Sequence, residues 1–484
     1  MKKWICFVLA FVLTLGLVAC GGSGNEGPST QGGDTASASL QVGFGRESVM
    51  PDGPVHLAGG DASKRISDSI KDTLYVTCVA LKKGDQTILI YTMDIITADD
   101  SVVDPIKVAV SSATGVPQEN ILMNATHTHG SVSIRSNWDG VDAYRRLFKE
   151  SMVYAATNAI NDLAPAEVYH GGVQTDGLAF VRHYKLSDGS YAGSNFGNFG
   201  NGIIVGHSSE ADGELQIVNF VRAGKKDVMM ISFPAHATFA STSDTYISAD
   251  FPSPTRQYIE ENTDALVAYF IAAAGDQVPT SKIKEESKYN GQYVEYGKAL
   301  GKYAVDALPN LTKLESTSIK LSTKTVTYPS NKDKLELLPY TGAVISAAKK
   351  HGNIAAKTVA VARENGFSSY FEAAAIKNRV SLPATLSMDL RVMTIGSLGF
   401  VFAPYEMFGT QGMYIKENAP CDTTFIITCS EGAMGYLPSQ LGVQIGCYEA
   451  CVSQFEYGTA EKLADDFVNM LKDLDRIATA EGTK

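Results

Sequence analysis

The 484-residue sequence lacks four short motifs that often identify catalytic or ligand-binding sites. It has no G-x-S-x-G nucleophile elbow, no H-E-x-x-H helix, no G-x-x-x-x-G-K-[ST] phosphate-binding loop and no EF-hand loop. The best-known serine-hydrolase, zincin, P-loop and calcium-binding signatures are therefore missing. Any catalytic chemistry must come from residues that the fold gathers from separate segments.

An excess of basic residues is also absent. The chain has 41 Lys and Arg against 52 Asp and Glu, and its net charge is −11. This acidic balance argues against nucleic acid as a partner. Beyond the N-terminal segment, no run is long and apolar enough to span a bilayer. A composition of 44% hydrophobic and 19% charged residues is typical of a folded soluble protein.

The first residues predict a targeting segment. "MKK" forms a basic start, an apolar core follows, and "LVAC" ends at Cys20 in a pattern that resembles the lipobox of bacterial lipoproteins. We therefore expect residues 1–19 to be a signal peptide and Cys20 to be lipidated. The mature chain would be extracytoplasmic and anchored to the bacterial cell membrane, with residues 20–39 as a flexible Gly/Ser-rich tether. The alternative is an uncleaved membrane helix. Cleavage would move the net charge from −11 to −13, because Lys2 and Lys3 are lost.

Cysteines are few and lack the spacing of a zinc ribbon. An odd number remains beyond Cys20, which leaves at least one free thiol unless pairing is intermolecular. We interpret them mostly as packing residues and leave their pairing open. They are Cys78, Cys421, Cys429, Cys447 and Cys451.

Apolar runs alternate with amphipathic stretches from about residue 40 onward. This mixture predicts an α/β or α+β protein with buried sheets, in one domain over residues 40–484. The Gly-, Asn- and Ser-rich stretch 186–206 predicts a long loop or hairpin, either a surface connection or a flap over a site. The predicted strands are 73–81, 87–95, 120–126, 227–235, 397–404 and 423–430. The predicted helices lie in 143–163, 255–263, 289–308, 336–353 and 459–480.

Polar residues with ligand or acid–base chemistry follow four of the apolar runs. "ILMNAT" precedes His127 and His129, "VMMISFPA" precedes His236, "LGFVFAPY" precedes Glu406, and "TFIITCS" precedes a turn with Tyr436. Two imidazoles and a carboxylate are a known catalytic zinc set. Taken singly, each has a plainer interpretation: a hydrogen-bonded structural histidine, a solvated glutamate or a packing tyrosine.

The stretch "NATHTHG" places two histidines one residue apart. On an extended backbone, alternate side chains point to the same side, so His127 and His129 would face one site together. That arrangement suits a metal ligand beside a group that transfers protons.

The sequence resembles the neutral/alkaline, non-lysosomal ceramidase family at these residues. The motifs that carry the resemblance are "NATHTHG", "LAFVRHYKLSDG", "FPAHAT", "AAGDQVP", "FAPYEMF" and "GYLPSQ…GCYEAC". The resemblance implies two mixed β-sheets packed face to face and flanked by helices. It also implies a zinc ion held by His127, His236, Glu406 and Tyr436.

The same resemblance implies roles for further residues. His129 would transfer protons, and Arg182 with Tyr436 would stabilise the scissile group. Asp276, Gln277 and Tyr448 would contact the substrate. The implied reaction is metal-assisted hydrolysis of an amide, most simply of an N-acyl lipid such as ceramide (N-acylsphingosine), to fatty acid and amine.

Two departures from the family keep other functions open. Val278 stands where the family's "GDVSP"-like motif has a serine that is assigned a catalytic role. We also expect no C-terminal β-sandwich domain after the last amphipathic helix. A hydrolase of another amide or ester, and a lipid-anchored binding protein without activity, remain as alternatives.

Overall fold

The computed structural model of the protein describes residues 39–59, 65–195, 200 and 202–481. The described residues from Ser39 onward belong to one compact unit. The predicted signal peptide 1–19 and the tether 20–39, except its last residue, lie outside the described residues. The signal peptide, the tether and the lipidation of Cys20 therefore stay predictions. Within the described part of the chain, no helix is long and apolar enough to cross a membrane.

The strands of the described chain are β1 (Gln41–Ser48), β2 (Ser69–Ile70), β3 (Tyr75–Lys83), β4 (Gln86–Met93), β5 (Ile121–Ala125), β6 (Ala164–Gln174), β7 (Phe180–Val181), β8 (His183–Leu186), β9 (Tyr191–Gly193), β10 (Ile204–His207), β11 (Glu214–Arg222), β12 (Asp227–Phe233), β13 (Tyr246–Ile247), β14 (Ala265–Ile271), β15 (Gln277–Val278), β16 (Thr312–Lys313), β17 (Ile319–Pro329), β18 (Thr385–Ile395), β19 (Leu398–Phe402), β20 (Glu406–Met407), β21 (Thr423–Ile427) and β22 (Tyr436–Leu437). They form two main sheets, a small three-stranded sheet and short pairs. A nine-stranded sheet has the order β14-β12-β11-β6-β1-β3-β4-β5, with β16 added to β6, and a four-stranded sheet has the order β17-β18-β19-β21.

The helices cover the outer faces of the two main sheets or connect their strands. They are α1 (Asp100–Thr114), α2 (Val141–Asn161), α3 (Pro252–Asn262), α4 (Tyr293–Ala307), α5 (Thr341–His351), α6 (Ala356–Glu364), α7 (Tyr370–Arg379), α8 (Gly409–Asn418), α9 (Gln440–Gln444), α10 (Tyr448–Val452) and α11 (Thr459–Glu481).

The main sheets pack face to face through a central apolar layer. Val79 and Ile90 of the larger sheet and Phe400 and Phe425 of the smaller sheet belong to this layer. Separate apolar layers lie on the outer faces, beneath α1 and α2, beneath α3 and α4, and beneath α8 and α11. The expected architecture of two packed mixed sheets flanked by helices is confirmed.

Parallel strand pairs direct the site residues toward one region. The pairs β4–β5 and β12–β14 in the large sheet and β19–β21 in the small sheet are all parallel. Strand β12 is buried along almost its whole length, as expected for a strand covered on both sheet faces. The chain segments that follow β5, β12, β14, β19 and β21 carry most of the predicted functional residues; Arg182 and Tyr448 lie on other segments. These five segments lie close together because parallel neighbours end at the same edge of a sheet.

All six strands predicted from the sequence are present, with ends shifted by a few residues, and each predicted helical stretch contains a helix. Helices α1 and α6 to α10 lie outside the predicted helical stretches. The capping signals of α1 were nevertheless present: the side chain of Asp99 accepts a hydrogen bond from the Ser101 amide, and Gly115 adopts a left-handed φ of 75° at the other end.

The stretch 186–206 is more ordered than a simple loop in its described part. Strands β8, β9 and β10 pair there as a small antiparallel sheet, while residues 196–199 and 201 lie outside the description. Ser194 and Asn195, just after β9, line the site cavity. The five cysteines beyond Cys20 are free, and four of them are buried.

Candidate metal and catalytic site

His127, His236 and Glu406 meet at the ends of three different strands. The Nε2 atom of His236 lies 3.0 Å from Oε2 of Glu406, and Nε2 of His127 lies 3.3 Å from the same oxygen. The ring centroids of the two histidines are 4.9 Å apart. The ligand atoms of His127, His129 and His236 all lie within 4.8 Å of one another. The structure thus brings together groups that can hold a metal ion.

The backbone fixes the orientation of both histidine rings. Nδ1 of His127 lies 2.6 Å from the carbonyl oxygen of Ile96, and Nδ1 of His236 bonds the carbonyl oxygen of Ala274. A carbonyl oxygen can only accept, so each Nδ1 carries the proton and each neutral ring presents the lone pair of Nε2. Metal-binding histidines commonly use such a carbonyl contact to set the tautomer.

Those lone pairs face the carboxylate of Glu406. A lone pair and a carboxylate oxygen at 3.0–3.3 Å repel each other unless a cation lies between them or a ring gains a proton. Burial alone would raise the pKa of Glu406, but His127 and His236 hold it well below its usual value. Burial alone would lower the pKa of His127, yet Cys429 and Glu406 raise it well above the usual value. A positive charge between these three side chains would therefore be stabilised, and a bound metal ion would supply it.

His129 reaches the cluster through a turn. Strand β5 ends at Ala125, and His127 has a left-handed φ of 62°, so the backbone at these histidines is not extended as the alternation argument assumed. The two rings still meet, with centroids 5.2 Å apart. Strain of this kind often accompanies functional residues.

The ring of His129 is neutral and has one ring nitrogen available beside the cluster. Its Nε2 is buried and has no hydrogen-bond partner within the described structure. Burial, and then the charge of His127, lowers the pKa of His129 well below its usual value. The ring is therefore neutral near pH 7 and can accept a proton.

Arg182 follows strand β7 and lies against Tyr436. Its backbone amide donates to the Asp276 carbonyl at 2.9 Å, and its guanidinium carbon lies 5.5 Å from the centre of the Tyr436 ring. Burial would lower the pKa of Arg182, but Glu449 and then Tyr436 raise it, so the side chain stays charged. A buried cation at this place can stabilise negative charge on a substrate oxygen.

Tyr436 completes the predicted ligand set. Its hydroxyl lies 3.4 Å from Nε2 of His236, and β22, which begins at Tyr436, pairs in parallel with β20, which begins at Glu406. Burial and then the charge of Glu406 raise the pKa of Tyr436 well above its usual value. In the absence of a metal ion this hydroxyl therefore stays protonated.

A cavity of about 610 Å³ opens beside the cluster. The hydroxyl-bearing segment from Thr238 to Thr245 forms one wall of the cavity. Residues from the end of α5 to the start of α7 form another wall. Val278 lines the cavity directly, so the wall is apolar at the position where the sequence resemblance implied a serine. The described lining side chains include His129, Arg182, Val278, His351, Ile354, Phe371, Tyr436 and Tyr448.

Asp276 and Gln277 are not among the residues that line this cavity. Gln277 is fully buried, and its amide bonds the backbone of Asp212 and Pro234. Oδ1 of Asp276 accepts a hydrogen bond from the Gly409 amide at 2.8 Å. Gln277 and Val278 point to opposite faces of β15, so Gln277 points away from the cavity that Val278 lines. The predicted substrate contacts of Asp276 and Gln277 are thus replaced by hydrogen bonds to the protein's own backbone.

The sequence analysis did not assign three residues that lie next to the site: Cys429, Gly275 and Glu449. The thiol of Cys429 lies 3.6 Å from Nδ1 of His127. Gly275 packs against the backbone of Glu406, where a Cβ atom would come within 2.7 Å of a carbonyl oxygen. Glu449 bonds Arg182. The motif "GCYEAC" contains Glu449, but its spacing to Arg182 carries no sequence signal.

Two solved structures are similar to the chain over most of its length. One is described as a ceramidase complexed with C2, with 14% identity, a TM-score of 0.67, and coverage of 91% of this chain and 76% of that chain. The other is the neutral ceramidase from Pseudomonas aeruginosa, with 16% identity, a TM-score of 0.67, and coverage of 90% and 75%. Comparisons with protein-family models and with curated proteins give no match. The arrangement of the two sheets and their helices is therefore the fold of the neutral ceramidases.

Proposed function

We propose that the protein is a zinc-dependent hydrolase that cleaves the amide bond of an N-acyl lipid such as ceramide, releasing a fatty acid and an amine. The observation that carries the proposal is the meeting of His127, His236 and Glu406, with Tyr436 beside them. Two imidazoles, a carboxylate and a phenol oxygen are donors that suit zinc. In the cell the enzyme would act outside the cytoplasm, anchored by lipid at Cys20.

Zinc bound at these four residues would supply Lewis acidity for the amide carbonyl and a water molecule activated near pH 7. The chain's own residues then control protons and charge. His129, neutral and without a partner at Nε2, accepts a proton from the attacking water and gives it to the leaving nitrogen. Protonation is needed because an unprotonated amine is a poor leaving group.

Arg182 contributes charge stabilisation in this scheme. Its buried guanidinium lines the cavity and stays cationic, so it stabilises the oxyanion that forms as water adds to the carbonyl. Phe371 and Tyr448 offer apolar surface for the substrate in the same cavity.

The zinc content of the purified, unlipidated protein tests the proposal. Wild type should bind about one zinc ion per chain, and His236→Ala should lose it. His170→Ala is a matched control, because His170 is also buried but bonds Thr423 away from the site. Zinc loss in the control, or no zinc in wild type after zinc is supplied, would contradict the proposal and favour an inactive binding protein.

A second candidate is hydrolysis of a different amide or ester with a smaller acyl group. It is favoured by Val278 at the family-serine position and by the hydroxyl-rich wall from Thr238 to Thr245. Rates of amine release from N-acyl sphingosine and from short N-acyl amines separate the two. A clear preference for the short amides would exclude ceramide as the main substrate.

A further inference from the structure

Glu449 is a fully buried carboxylate directly behind the cavity. It follows the cavity residue Tyr448 at the start of α10. Its Oε1 accepts from Nε of Arg182 at 2.7 Å and from Nδ2 of Asn195 at 3.1 Å, and its Oε2 lies 2.9 Å from Nε2 of His183. One carboxylate therefore joins the segment after β7, the segment after β9 and helix α10.

The contact between Glu449 and Arg182 matters because Arg182 carries a buried positive charge. The guanidinium is buried next to the cluster of His127, His236 and Glu406. A buried charge is costly unless an opposite charge is paired with it. Glu449 supplies the opposite charge, and the Gly275 carbonyl accepts a further hydrogen bond from Nη2 of Arg182 at 2.7 Å. Together these two acceptors determine where the guanidinium lies against the Tyr436 ring.

A metal-binding role for Glu449 is a weaker interpretation. Ligand atoms of His183, Cys447 and Glu449 do lie within 4.8 Å of one another. However, His183 bonds Oε2, and the guanidinium of Arg182 bonds Oε1. A cation is thus already present beside the carboxylate, and a metal ion there would face its repulsion.

We propose that Glu449 is a positioning residue that holds Arg182 where it stabilises the developing oxyanion. The proposal rests on the amide-hydrolase function proposed above. Glu449 acts through Arg182 and has no direct contact with the reacting atoms. Its removal should therefore lower kcat much more than it changes KM, because oxyanion stabilisation is gained in the transition state.

The test compares Glu449→Gln and Glu449→Asp with Glu372→Gln. Glu372 is a matched control because it is also a buried carboxylate in an ion pair, with Lys334, and does not contact Arg182. Glu449→Gln should lower kcat about 10²-fold with KM within a few-fold of wild type, as for loss of one oxyanion donor. Glu449→Asp, which keeps the charge, should recover part of that loss. Glu372→Gln should lower the thermal midpoint with little change in kcat, and zinc content should stay at the wild-type level in all three.

Several outcomes would overturn the proposal. They are a wild-type kcat in Glu449→Gln, an equal kcat loss in Glu372→Gln, or a change in KM alone. Should Glu449→Gln fail to fold, Glu449→Asp decides the question: a fall in kcat while the Arg182 guanidinium keeps its wild-type place in the crystal structure of that variant would overturn the proposal.

Failure of the proposed function has a different signature. If wild type binds zinc but cleaves none of the N-acyl amines, the amide-hydrolase function fails. Crystal structures of wild type and the folded Glu449 variant then decide the positioning role. Displacement of the Arg182 guanidinium from the Tyr436 ring supports it, and an unmoved guanidinium overturns it.

Discussion

His236 Nε2 lies 3.0 Å from Oε2 of Glu406, although 170 positions separate the two residues in the chain. The histidine follows a strand of the large sheet and the glutamate follows a strand of the small sheet. The candidate metal centre therefore exists only when the two sheets are packed against each other. Any chemistry at this centre therefore depends on the packing of the two sheets.

Replacing His129 by Ala should separate metal binding from proton transfer. We expect the variant to keep its zinc, because His127, His236, Glu406 and Tyr436 remain. Turnover should fall about 10²–10⁴-fold, the usual contribution of general acid–base catalysis. Zinc content and kcat measured on the same preparation check this. Loss of zinc in His129→Ala would mean that the roles assigned to His127 and His129 are wrong.

Gly275→Ala should disturb the centre through the backbone of Glu406. A Cβ atom at this position would lie 2.7 Å from the Glu406 carbonyl oxygen and 2.8 Å from that of Met407, so the strand must move. We expect lower zinc content and lower stability. Gly342→Ala is the control, since its Cβ meets nothing within 4 Å and lies in helix α5. That change should leave zinc binding intact and stabilise the protein by up to about 1 kcal/mol. Full zinc content in Gly275→Ala would contradict the packing argument.

Val278 tests whether the site needs a hydroxyl at the position where the sequence resemblance implies a serine. Because we propose His129 as the group that moves the proton, we expect Val278→Ser and Val278→Ala to change kcat for N-acyl sphingosine to a similar extent. The comparison uses steady-state rates of both variants with the same zinc loading. A large gain with serine alone would show that a hydroxyl at this position has a catalytic role.

The titration of Asp250 should lower the free energy of unfolding as the pH rises. Burial, together with the charge of Asp72, raises the pKa of Asp250 to about 7. The unfolded carboxyl titrates near 3.9, so between about pH 4 and pH 7 the folded state holds a proton that the unfolded state has lost. The free energy of unfolding therefore declines over this range, by at most about 1.4 kcal/mol per pH unit from this group.

Asp250→Asn removes that titration and suits the left-handed φ of 59° at this position. Urea midpoints of wild type and variant should show the wild-type advantage shrinking as pH rises from about 4 to 7. A difference that stays constant across this range would contradict the raised pKa.

Local sequence patterns were sufficient for much of the architecture. Buried strands such as β12 and β19 stand out as continuous apolar runs, because both faces of these strands are covered. The polar residues that follow them were also visible, since a histidine or glutamate after an apolar run marks the point where the chain leaves the sheet. The mixed-sheet class and the candidate ligands therefore follow from the sequence, helped by the family resemblance.

Only the tertiary structure decided which of these residues meet. Adjacent residues can serve opposite sides of a strand, so Val278 lines the cavity while Gln277 bonds backbone beneath it. The pairing of Arg182 with Glu449 joins residues 267 positions apart, and no local preference specifies such a partner. Sequence determines where the chain forms strands and which chemistry each end carries. The packing of the two sheets determines the distances, and distances of about 3 Å decide whether those groups form a site.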